Sequence, residues 1–276
     1  MFSKTCILSP LMAVVGGMLW ATVTTAAPPI APKFANLTLV TPGARAGQNA
    51  APSYDPSNPP DLPTQIPPLA STEYLAAVAT HDYLSEVEQQ IVAETNRLRA
   101  EPALYAAELE NLRQYFDGYL LRLPGFPPLE TVEGVAAVEE AIAALRETAP
   151  LPRLTPSWGM SQAARDHVQD LGAIGADGHY GSDGSTPFDR LNRYGSWEVG
   201  SSSRAGENLS YSPINLARWH ILQWVVDDGV PNRGHRQAIL RPDYQLTGIA
   251  CGVHTFYGTM CSMTYAKDYI EAESLF

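Results

Sequence analysis

Four short stretches place ionisable groups among turn-forming residues: Gly178-His179-Tyr180-Gly181, Gly206-Glu207-Asn208-Leu209, Trp224 to Gly229 with Asp227 and Asp228, and Gly234-His235-Arg236. Imidazoles and carboxylates are the groups of proton transfer and metal ligation. Spacing alone does not gather them into one site, and a capped turn accounts for each stretch separately. The adjacent acids carry a physical hint, because Asp227 and Asp228 close a helical run from Asn215 to Asp227. Negative charge there opposes the helix macrodipole, at a cost of about 0.3–1 kcal/mol each. Pairing with Arg233 or Arg236 and a cap at Gly229 would compensate. Other catalytic patterns are poorer. The chain has no His-Glu-x-x-His helix and no Gly-x-Ser-x-Gly elbow. A Ser-His-Glu arrangement through Ser182 or Ser210 competes with the usual role of serine as a turn former. His81, His167 and His220 lie in or beside amphipathic helices and His254 beside a turn, where a hydrogen-bonded histidine is the ordinary case.

The elements that must carry these stretches follow from periodicity. Ser85-Glu86-Val87-Glu88 reads as a capping box, followed by Ile91, Val92, Thr95 and Leu98 at helical spacing. Pro102 opens a second helical stretch to Tyr115, and Pro124, Pro127 and Pro128 impose a loop. Val135 to Leu145 and Ser157 to Leu171 read as two more helices, the latter with Trp158 packed at its start. Residues 172–184 are loop, Arg204 to Tyr211 is strand-like, and Leu246 to Val253 with Thr259 to Tyr265 reads as a hairpin. The order predicts an α+β sandwich with a small antiparallel sheet flanked by helices, not a parallel dinucleotide-binding sheet.

A formal net charge of −11 and 18 Lys plus Arg exclude a nucleic-acid binder that works by counterion release. Lys4, the apolar run Leu11 to Trp20 and the small residues Thr24 to Ala27 read as a signal peptide over residues 1–26, short for a membrane span, so no transmembrane segment is expected after cleavage. Residues 27–71 carry eleven prolines without apolar periodicity and read as a disordered, polyproline-like linker, dispensable for folding; residues 72–276 hold the folded domain. Export leaves Cys251 and Cys261 in an oxidising compartment. Centring the hairpin on Phe256 makes them face each other, within reach of a disulfide. Asn36-Leu37-Thr38 and Asn208-Leu209-Ser210 match the glycosylation acceptor pattern.

Gly178-His179, Asp183-Gly184-Ser185-Thr186-Pro187-Phe188-Asp189-Arg190, Gly206-Glu207-Asn208 and Arg233-Gly234-His235-Arg236 with Ile239-Leu240 occur in this order, and together they resemble the CAP superfamily. That superfamily of SCP-like extracellular proteins groups cysteine-rich secretory, antigen 5 and pathogenesis-related proteins with bacterial SCP-like proteins. The resemblance spans roughly Ser85 to Tyr269, and the run from Asp227 to Arg236 is similar to a bacterial-type branch. It implies an α-β-α sandwich whose cleft, lined by two histidines and two acids, accepts a divalent ion such as zinc in several members. His179, Glu207 and His235 carry over; the fourth position falls to Asp227 or Asp228 in place of a glutamate. For these aspartates, metal ligation competes with pairing to Arg233 or Arg236. Zinc on neutral imidazole and carboxylate with fewer than four protein ligands retains water, whose pKa it lowers to about 7.

The expected function is therefore a secreted, or periplasmic, binding or interaction module with a divalent-cation site. Its rival is a metal-dependent hydrolase acting on protein, cell wall or ester. The partner expected is an extracellular ligand, a lipid or a cell-surface component. Trp197, Trp219 and Trp224 with Tyr194 and Tyr211 are candidates for a lipid groove, although Trp219 and Trp224 stand at core spacing.

Overall fold

The computed structural model describes residues 81–200 and 202–272. The expected signal peptide, the proline-rich linker and the acceptor at Asn36 all lie outside the described residues. No helix among the described residues is long and apolar enough to cross a membrane.

The first helix, α1 (Glu86–Ala100), begins where the capping box places it, with the Glu88 carboxylate taking the Ser85 N–H at 2.7 Å. Pro102 then starts α2 (Pro102–Glu110), which tightens into a 3-10 turn (Asn111–Tyr115). Where a plain loop was expected, the chain forms a small meander of β1 (Phe116–Asp117), β2 (Leu120–Leu121) and β3 (Leu129–Glu130). The next elements are α3 (Val135–Glu147), β4 (Thr155–Pro156) and α4 (Trp158–Ile174), whose N-terminus is capped by the Ser157 hydroxyl. A helix not foreseen, α5 (Pro187–Tyr194), follows. Its signal was present: Thr186 as cap, Pro187 at the first position and Asp189 returning a bond to Thr186 N–H.

β5 (Gly195–Ser196), β6 (Ala205–Ser212), α6 (Ala217–Val226), a short α7 (Gly234–Ile239), β7 (Leu246–His254), β8 (Gly258–Ala266) and β9 (Ile270–Glu271) complete the domain. The main sheet runs β4-β7-β8-β6, so β6 is an edge strand. It is antiparallel except for β4, which pairs parallel with β7. A strand's alternating faces explain the layering. Ile249, Cys261, Met263 and Tyr265 face a large core shared with α1, α2, α3 and α6, whereas Ala250 and Met260 face α4 through Ala164, Val168 and Leu171. Helices therefore cover both faces of the sheet. Gly248 permits the close approach of α4, since a Cβ there would lie 2.2 Å from the Met160 carbonyl carbon. The hairpin register puts Cys251 opposite Cys261, and the two are disulfide-bonded with their Cα atoms 4.1 Å apart.

Candidate functional site

Two histidine–carboxylate pairs flank the edge strand β6. On the α4–α5 side, the turn before His179 is pinned from both directions: Gly178 N–H donates to the Tyr211 hydroxyl at 3.0 Å, and Gly178 C=O meets His167 Nε2 at 2.9 Å. Glu207, on β6, then meets His179 Nδ1 at 2.9 Å. The Arg190 guanidinium, from α5, donates to both Glu207 oxygens at 3.0 and 3.1 Å and to the carbonyls of His179 and Ser185. The Ser262 hydroxyl donates to the second Glu207 oxygen at 2.9 Å. The Glu207 side chain is 1% exposed and that of His179 46% exposed, so a buried anion orients a ring that reaches solvent. Burial acts to raise the Glu207 carboxyl, but the His179 hydrogen bond and the Arg190 charge outweigh it and hold its pKa below the usual value. Arg190 was not singled out from sequence, although it lies in the run that ends Phe188-Asp189-Arg190.

The second pair is built at a helix junction. Asp227 ends α6 in the left-handed conformation, at φ 56°, a conformation Asp tolerates better than most residues. This turns its carboxylate onto the start of α7. One oxygen meets His235 Nδ1 at 2.6 Å, and the other accepts the N–H groups of His235 and Arg236 at 2.9 and 3.2 Å. Asn208, next to Glu207 on β6, points to the other side and donates to the His235 carbonyl at 3.0 Å and to the Tyr265 hydroxyl. The Glu-Asn dipeptide thus holds one histidine arm with each side chain. Asn208 is buried, so this acceptor is closed to glycosylation in the folded domain.

Asp228 joins neither histidine pair. Its carboxylate accepts Val132 and Glu133 N–H, each at 2.7 Å, and so anchors the meander to α6. Burial raises its pKa despite these two bonds. Nor do the arginine side chains hydrogen-bond the aspartate carboxylates, although their charges act on them: Arg233 pairs with Glu133 and Glu140, and Arg236 with Glu140 and the carbonyls of Val225 and Val226. Backbone N–H groups compensate both acids instead. The two serines are also elsewhere. Ser182 donates to Asp170, and Ser210 meets Nδ1 of the buried His220 at 2.7 Å. The five candidate groove aromatics divide among three separate core clusters, with Trp219 and Trp224 in the large one, so they line no common groove.

Among the described residues, no group of three or more His, Cys, Asp or Glu side chains is arranged to hold a metal ion. What the pairs do present is a ring with Nδ1 turned to a buried carboxylate, which leaves Nε2 as the outward atom. A histidine metal ligand needs that second-shell support.

Helices on both faces of a small mixed sheet, with paired histidines and acids around its edge strand, make an α+β sandwich. Residues 139–265 match the family model CAP, described as the cysteine-rich secretory protein family, and the chain carries a CAP domain. Among solved structures, an extracellular protein containing a SCP domain from Bacillus anthracis is 21% identical, with a TM-score of 0.33 over 49% of this chain and 38% of its own. An outer surface protein from Borrelia burgdorferi is 20% identical, with a TM-score of 0.35 over 48% of this chain and 89% of its own. This chain thus spans 38% of the length of the Bacillus protein. No curated protein matches it.

Proposed function

We propose that this chain is an exported CAP-domain binding module that captures a divalent cation of zinc type between His179 and His235. The observation that supports this reading is the shared design of the two arms, each ring leaning through Nδ1 on a buried carboxylate. Glu207 and Asp227 keep the proton on Nδ1 and fix each ring's orientation, while Nε2 of each ring faces outward. When bound, the cation supplies a Lewis-acidic centre to which an oxygen or nitrogen group of an extracellular partner can add. Binding is favoured over hydrolysis because both cleft carboxylates are already engaged: Glu207 by Arg190, His179 and Ser262, and Asp227 by His235 and two backbone N–H groups. Neither is free to serve as a general base. The signal-like N-terminus supports an extracellular or periplasmic setting. The test is titration calorimetry of the chelator-stripped protein with zinc at pH 7.5 and pH 5.5. Affinity is expected to fall at the lower pH, where protons compete for imidazole, to be lost in His179→Ala and His235→Ala, and to be unchanged in Asp228→Asn. Equal affinity in the wild type and both histidine variants would defeat the reading.

A further inference from the structure

A small cavity lies between the meander, α3 and α6, and His179, His235, Glu207 and Asp227 take no part in its lining. It measures about 30 Å³, room for about two water-sized groups. Phe116 and Leu121 of the meander, Val138 of α3 and Leu222 of α6 supply apolar walls. Trp219 and Gln223, one helical turn apart on the same face of α6, also line it. Both are buried, at 3% and 5% exposure, and Trp219 Nε1 and Gln223 Oε1 have no hydrogen-bond partner. The first is a donor and the second an acceptor. The Gln223 amide nitrogen is already engaged, donating to the Tyr211 carbonyl at 3.2 Å, and this fixes which way the amide points.

The other polar groups of the lining are taken. Thr131 Oγ1 donates to the Tyr119 carbonyl at 2.7 Å, and the two Asp228 oxygens accept Val132 and Glu133 N–H. A buried water ordinarily makes about three hydrogen bonds, and this cavity offers it two among walls of carbon. A hydroxyl at the end of a carbon chain needs those two: its oxygen accepts from Trp219 Nε1–H, its proton goes to Gln223 Oε1, and its first methylene meets the apolar walls. A carboxylate fits worse, because it has no proton for Gln223 and would stand in the same cavity as Asp228. Outside the cavity the chain of such a molecule finds an apolar surface. Tyr119 lies 3.5 Å from where a Cβ on the lining residue Gly134 would stand. Tyr119, Val132 and Val135 are 63%, 48% and 37% exposed, and they flank Thr131 and Gly134 of the lining as a rim.

We propose that this cavity binds the hydroxyl end of an apolar alcohol, whose chain continues over the rim of Tyr119, Val132 and Val135. The site is independent of the histidine pairs and of any cation they hold. The test uses the full chain carrying isotope-labelled tryptophan, with the Trp219 indole N–H resonance assigned through Trp219→Phe. Hexanol is expected to shift that resonance saturably. Its isomer methyl pentyl ether, which accepts a hydrogen bond but cannot donate one, should bind about tenfold more weakly. Gln223→Met should bring the two isomers to equal affinity. From propanol to octanol, affinity should rise about three- to fourfold per methylene, and Tyr119→Ser on the exposed rim should weaken octanol severalfold while leaving propanol unchanged. A Trp219 resonance that does not saturate with hexanol, or isomers that bind the wild type equally, overturns the proposal, and neither result depends on the Gln223 variant folding. Hexanoate binding more tightly than hexanol overturns it in favour of a carboxylate. An affinity that stops rising at propanol overturns the part assigned to the rim, and the site then takes a free short alcohol and not the end of a longer amphiphile.

Discussion

The two arms beside β6 hold a histidine by the same contact and stabilise the supporting acid in opposite ways. Glu207 stands on a strand and is neutralised by a guanidinium, with Arg190 itself only 2% exposed at its side chain. Asp227 stands in a helix junction, is fully buried, and is satisfied by the imidazole and by N–H groups at the start of α7. One arm is an ion pair carried by tertiary packing; the other is a local cap. The ion-pair arm should therefore fail globally when its cation is removed, and the cap arm should fail locally.

The largest effect expected is that of Arg190→Leu. It leaves Glu207 buried without its cation, and breaking such a pair costs about 3–5 kcal/mol. Urea denaturation measures this, and adding Glu207→Gln should restore part of the loss because the uncompensated charge is gone. A loss under about 1 kcal/mol would show that His179 and Ser262 suffice and that the arms are equivalent.

A third histidine sharpens the contrast. His220 touches β6 through the Ser210 hydroxyl, not through a carboxylate, and burial depresses its pKa to about 3. The unfolded chain takes up this proton near pH 6.5 while the folded domain refuses it, so stability is full above about 6.5 and is lost as pH falls toward 3. Glu207, whose pKa is also lowered, adds a loss only below its ordinary value near 4.5. A denaturation series against pH should show the decline in two stages. His220→Gln should reduce the upper stage by a few kcal/mol and leave the lower; His167, whose pKa burial also lowers, keeps a smaller share of the upper stage. A decline confined to below pH 4.5 in the wild type would contradict the assignment.

The next effect is smaller and confined to one arm. Asp227→Asn keeps the shape but loses the charge-assisted bonds, at about 1.5–3 kcal/mol. If the proposed cation site holds, zinc affinity should also fall by about 10–100-fold as His235 loses its support, whereas Asp228→Asn leaves affinity intact. Equal losses of affinity for the two aspartate variants would break the distinction between them.

How much of this was legible beforehand depended on where each residue finds its partner. The cysteine pairing could be read because hairpin register is local; His179, Glu207 and His235 were singled out only through the motifs that carry the resemblance to the CAP superfamily, because spacing alone does not gather them. Asp227 and Asp228 could not be separated, because the groups that claim Asp228 belong to Val132 and Glu133, almost a hundred residues away in the chain. Arg190 escaped because a buried arginine looks like any other until the helix that carries it is packed. That helix could have been found from Thr186-Pro187 and Asp189. The parallel pairing of β4 could not, since two residues carry no periodicity.

The smallest effect concerns Arg233, which tethers the cap arm to the meander. Its backbone is left-handed at φ 49°, and its guanidinium pairs with Glu133 and Glu140, whose side chains are 32% and 50% exposed. Pairs with partners so exposed contribute at most about 1 kcal/mol after screening. A left-handed backbone costs a residue with a Cβ about 1–2 kcal/mol, which glycine does not incur. Arg233→Ala should therefore destabilise by about 1 kcal/mol, since the pairs go and the strain stays. Arg233→Gly loses the same pairs and relieves the strain, so its stability should match or slightly exceed that of the wild type, less the added freedom of glycine in the unfolded chain. Thermal melts of the two variants side by side isolate the backbone term. If Gly proves the less stable of the two, the left-handed turn at Arg233 is not strained.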